Sequence, residues 1–81
     1  MFRIEIRTEA QTIVHIEGRL TDASIPELLR ACRSAPQPVM LDLTQLRSAC
    51  NEAIQALRTL IAEGARVRGA PRYIELLLEE A

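Results

Sequence analysis

Val39-Met40-Leu41-Asp42-Leu43 is an almost wholly apolar run of strand length, set off on its N-terminal side by Ser34-Ala35-Pro36-Gln37-Pro38. A run this short and this apolar suits a strand inside a sheet that is covered by helices. The prolines before it end whatever helix precedes them. Working back from this strand, Ser24-Ile25-Pro26-Glu27 places a serine, a proline in the first turn and a glutamate three residues after the serine, the signature of a helix start. Leu28, Leu29 and Cys32 then supply the apolar face of that helix. Further back, Phe2, Ile4 and Ile6 alternate with Arg3, Glu5 and Arg7, the period of a strand with one buried face. Thr12 to Glu17 forms a β-branched second strand ended by Gly18, and residues 2–7 and 12–17 read together as a hairpin.

Working forward, Ile54, Leu57, Leu60 and Ile61 fall three to four apart within residues 51–63, and Gly64 is placed to end that helix. Ala65-Arg66-Val67-Arg68 reads as a short last strand, and Tyr73, Ile74, Leu77 and Leu78 mark a terminal helix after Gly69-Ala70-Pro71. The expected fold class is α/β, in the order β-β-α-β-α-β-α. The sheet should be mixed, of about four strands for a domain this size, with Val39, Leu41 and Leu43 in its most buried strand and the helices packed against it. The later strands should run parallel because helices connect them. Residues 1–81 are expected to form one domain, since a chain of 81 residues removes roughly 60 to 65% of its unfolded surface from water.

Composition narrows the function. With 48% apolar residues and no long apolar run, nothing approaches the roughly 18 residues needed to span a bilayer. The alternating N-terminal residues lack the apolar stretch of a secretory signal, so a cytoplasmic location is expected. Cys32 and Cys50, with one histidine in the chain, are too few for a structural zinc site, and no metal or cofactor is expected. Ten basic residues, all arginine, against eleven acidic ones leave a net charge of −1, and their scatter along the chain argues against nucleic-acid binding. Phe2 and Tyr73 are the only aromatic residues, too few for base stacking, and both read as packing residues. Cys50 could be a reactive thiol before a helix and His15 a catalytic base, but no convergent acid, base and nucleophile have a convincing spacing. Catalytic residues are therefore expected to be absent.

Three stretches resemble the STAS family (sulfate transporter and anti-sigma factor antagonist), in an order and spacing that cover nearly the whole chain. They are Gly18-Arg19-Leu20-Thr21-Asp22-Ala23-Ser24, then Val39-Met40-Leu41-Asp42-Leu43-Thr44-Gln45-Leu46, and Gly64 to Gly69 with Pro71, Ile74, Leu76 and Leu77. The resemblance implies a bacterial regulatory module that binds another protein: a sigma-factor-regulating kinase, a signalling assembly, or a lipid-trafficking ABC transporter of which it is a small subunit. A small-molecule or nucleotide sensor is the other class it allows. By position, the family's aspartate-serine-serine-glycine motif falls on Cys50, Asn51, Glu52 and Ala53, and none of the four is retained. Asn51 stands where sigma-regulating members carry the serine phosphorylated by the partner kinase, so that switch cannot operate there, and Ser48 or Thr44 would have to replace it. Asn51 and Ser24 are expected to cap their helices, and Glu52 to complement the dipole of the second. The resemblance also implies that the loops after the second and third strands leave the sheet together, which makes Asp22, Ser24, Ser48, Asn51 and Glu52 the expected partner-binding rim.

Overall fold

The computed structural model describes residues 2–8 and 10–79. Nine elements follow one another: β1 (Phe2–Thr8), β2 (Thr12–Leu20), a 3-10 turn (Asp22–Ser24), α1 (Ile25–Ser34), β3 (Val39–Asp42), β4 (Leu46–Ala49), α2 (Asn51–Ala62), β5 (Arg66–Arg68) and α3 (Arg72–Glu79). The hairpin forms as the alternation predicts, with β1 antiparallel to β2 and Ile4 opposite Ile16. β2 then pairs in parallel with β3, Val14 opposite Leu41, and β3 pairs in parallel with β5. The sheet has five strands rather than four, because the course that begins at Val39 does not stop at Leu43. It turns through Thr44 and Gln45 and returns to β2 as β4, with Leu20 opposite Ala49.

One face of the sheet is dry. Val14, Ile16, Leu20, Val39 and Leu41 share it, and they form one buried cluster with Leu28 and Cys32 of α1, Ile54, Leu57 and Leu60 of α2, and Ile74 of α3. Residues of all three helices thus meet a single face, a two-layer arrangement in which the opposite face of the sheet stays open. Val39, Leu41 and Leu43 are buried as expected. Tyr73 is not the packing residue the pattern suggested: it is 48% exposed, because Ile74 takes the inward position on α3 and Leu77 and Leu78 follow it.

The helix ends depart from expectation at their starts and agree at their stops. The Ser24 and Cys50 side chains make no capping hydrogen bond, and Asn51 is already the first helical residue of α2, not its cap. The chain reaches both helices from strand ends that are held by the sheet, so backbone contacts fix their entry. The Cys50 amide donates to the Leu20 carbonyl at 3.0 Å, and the Ile54 amide to the Cys50 carbonyl at 2.9 Å. At the other end of α2, Gly64 takes a positive φ of 113°. Its amide donates to Ile61 and that of Ala65 to Leu60, which satisfies carbonyls the helix leaves open. Gln37 serves α1 in the same way, its Nε2 donating to the Cys32 carbonyl at 2.8 Å and the Ala35 carbonyl at 3.2 Å.

Candidate functional site

The parallel register of β2 and β4 determines where the two candidate loops lie. Leu20 is opposite Ala49, and the bond from Cys50 to Leu20 continues the pairing by one residue. The chain therefore leaves two adjacent strand ends, one into Thr21–Ser24 and the other into the first turn of α2. This is the sheet edge at which open α/β folds commonly place their ligands, beyond the carboxyl ends of parallel strands. Asp22, Asn51 and Glu52 are exposed there, while Ser24 and Ser48 are half-buried. Ser48 lies on β4 opposite Arg19, and Glu52 occupies the first turn of α2, where the helix dipole favours a carboxylate.

The open face of the sheet carries a polar network that the sequence pattern did not single out. Strand alternation turns Glu5, His15, Glu17, Asp42 and Arg68 onto it. Glu5 accepts from Arg7 at 2.8 Å and from Arg3 at 3.0 Å along one strand. The hydrogen bond and charge of Arg7 hold the Glu5 carboxyl below its ordinary value. Asp42 is the hub. Burial by itself raises its pKa, but the Thr44 hydroxyl, the Thr44 amide at 3.0 Å, Arg68 at 3.3 Å and His15 outweigh that and hold it well below the usual carboxylate range. His15 lies between two acids, Nδ1 at 3.3 Å from Asp42 and Nε2 at 3.2 Å from Glu17. Both ring nitrogens face carboxylates, so neither is aimed at a hydroxyl or thiol that it could activate. The Cys32 thiol is pushed up to about 11 by burial and stays neutral and unreactive in the core. Arg66 and Arg68 share the open face as expected, but Arg68 is tied to Asp42.

A family-model search and a search of curated proteins return no match. Solved structures are similar. A crystal structure described as an antisigma-factor antagonist, STAS domain from Rhodobacter sphaeroides, superposes with a TM-score of 0.63 at 25% identity, covering 84% of this chain and 86% of that one. The chain is a STAS-like domain. A second similar structure, an uncharacterized protein of the DUF3478 family with a SpoIIAA-like fold from Shewanella loihica, has a TM-score of 0.56 at 16% identity and covers 93% of this chain and 71% of that one. That second likeness speaks to the fold alone. Among the described residues of the STAS-like domain, no helix is long and apolar enough to cross a membrane, and no group of three His, Cys, Asp or Glu side chains is arranged to hold a metal ion.

Within this domain, sequence reasoning missed Arg19, Gln45 and Arg47. Gly18 is the one signal that pointed toward them. It takes a φ of 89°, and the β2–β4 register slips beside it, so that Arg47 is passed over between Leu46 and Ser48. Such a bulge turns one strand residue out of the ladder and re-aims its side chain. Arg47 ends up exposed beside Arg19.

Proposed function

We propose that this chain is a regulatory protein-interaction module that acts without catalysis, docking a partner at the edge formed by Asp22, Ser24, Ser48, Asn51 and Glu52. The observation that carries the reading is the β2–β4 register, which sets the Thr21–Ser24 loop beside the start of α2 in a STAS-like domain. Two short segments thereby make one polar, slightly acidic surface, and an arginine-bearing partner surface is its complement. The similarity to a structure described as an anti-sigma-factor antagonist supports a partner of the sigma-regulating kind, an anti-sigma factor or kinase or a larger signalling assembly. On this reading the module works in the cytoplasm. It does not cycle through phosphorylation at the start of α2, because residues 50 to 53 carry no hydroxyl group.

Glu52→Arg tests the proposal in binding isotherms with a purified partner. Binding should weaken by more than about 1 kcal/mol, as a charge placed against its complement requires. Stability should change by less than that, because Glu52 is exposed. Arg66→Glu, on the remote edge strand β5, is the control. A control that weakens binding more than Glu52→Arg moves the interface elsewhere.

A further inference from the structure

The arginines that are scattered along the sequence are gathered by the fold. Alternation turns Arg3 of β1 and Arg19 of β2 to the open face, and the bulge adds Arg47 of β4. Together with Glu17, Gly18 and Gln45 they line an open groove of about 510 Å³ that crosses the sheet next to the docking edge. Three guanidinium groups face a single carboxylate in it. Arg3 shares Glu5, but among the described residues Arg19 and Arg47 form no ion pair. The floor is backbone: the Gly18 amide donates to the Gln45 carbonyl at 3.2 Å, and Gly18 contributes no side chain.

We propose that this groove receives an acidic, extended segment of a protein partner, with Arg19 and Arg47 as its principal contacts. The proposal rests on the reading of the chain as a docking module and names the chemistry of a second contact region. Planar guanidinium groups pair with carboxylates through two parallel hydrogen bonds, and two unpaired arginines side by side suit acidic side chains of one segment. The groove is open and polar along its length, whereas sites for small molecules are concave and mostly apolar. Nucleic acid is disfavoured by a net charge of −1 and by the absence of an aromatic side chain from the groove. An anionic bilayer would meet Glu17 as well as the arginines, on a molecule that carries no excess positive charge. The groove lies next to Ser48, which pairs with Arg19, so a basic strip adjoins the acidic edge. Adjacent patches of opposite sign fix the orientation of a partner that carries the inverse pattern.

The probe is a fluorescein-labelled octaglutamate peptide, titrated with the full chain at low ionic strength and followed by fluorescence anisotropy. Binding is expected, weakening with added salt as exposed charge pairs do. Arg19→Glu/Arg47→Glu should weaken it by about tenfold or more, and the milder Arg19→Gln/Arg47→Gln by a smaller factor, while Arg30→Glu on α1 leaves it within about twofold. Circular dichroism and melting curves establish that each variant is folded, and the glutamine pair serves if the glutamate pair is not. Glu52→Arg should not weaken peptide binding, which separates this groove from the docking edge. Absence of peptide binding, or equal loss in Arg30→Glu, overturns the proposal. So does tighter binding, dependent on Arg19 and Arg47, to a DNA duplex or to phosphatidylglycerol vesicles than to the peptide.

Discussion

Replacing Asp42 with asparagine keeps the shape of the side chain and removes only its charge, at the residue where β3 ends and the chain turns toward β4. The Asp42 carboxylate is 14% exposed and receives the Thr44 hydroxyl, the Thr44 amide at 3.0 Å and Arg68 at 3.3 Å, with His15 Nδ1 at 3.3 Å. An asparagine oxygen still accepts from Thr44, but those bonds lose their charge assistance, and its amide would face the Arg68 donor. The difference between a charged and a neutral acceptor over the two Thr44 donors is worth roughly 1 to 2 kcal/mol. Arg68 is half exposed and adds little. The sign with pH follows from the lowered pKa. A carboxyl held below its ordinary value of 3.8 in the folded state stabilises that state above 3.8 and loses the contribution as pH falls through the folded value. Urea unfolding of the wild type and Asp42→Asn should therefore differ by the full amount at neutral pH. The gap should narrow below 3.8 by at most about 1.4 kcal/mol per pH unit. Glu5, also held low, is common to both proteins and cancels. A gap under about 0.5 kcal/mol at neutral pH, or one that stays constant far below 3.8, would refute the assignment of Asp42 as the hub of the open face.

Leu57 is fully buried in α2, and Leu57→Ala should cost about 2 to 5 kcal/mol in denaturant titration; a loss under ~0.5 kcal/mol would mean that side chain is not core. Gly69 has a φ of 72°, and a Cβ there would collide with the Thr44 hydroxyl that donates to Asp42. Gly69→Ala should thus lower stability by roughly 1 to 3 kcal/mol. Gly64→Ala should cost less, because a Cβ at Gly64 meets open space; equal losses in the two variants would count against a steric role for Thr44. Incubation with a STAS-family kinase and ATP, read by intact mass, should leave residues 50 to 53 unmodified. A phosphate mapped to Ser48, half-buried beside the docking edge, or to exposed Thr44 would show that a neighbouring hydroxyl has taken over the switch.

The order and packing of the main elements were legible because each rests on local periodicity. The period of two in residues 2–7 and 12–17, the apolar Val39 to Leu43 and the 3.6-residue spacing in α2 each state which side of an element is buried, and the helical connections require parallel pairing. β4 escaped for a physical reason. Leu46-Arg47-Ser48-Ala49 is passed over at Arg47 by the register, so its alternation is broken where it would have to be read. The caps misled in a similar way, since Ser24 and Asn51 have the right chemistry but the sheet holds the entries to both helices through the backbone.

Of the candidate edge, the sequence carried the residues and the family resemblance the expectation that two loops meet; the bonds that join the loops connect Leu20 to Ala49 and Cys50, some thirty positions apart, and exist only in the folded sheet. The arginines make the same point more sharply. In the chain they are dispersed among acids and the net charge is −1, which argues against any strong electrostatic surface. Charge in space is set by which face of which strand a residue occupies and which strand lies next to it. Residues 3, 19 and 47 come from three strands, and only their pairing around β2, with a bulge that turns one of them outward, brings their guanidinium groups to one groove.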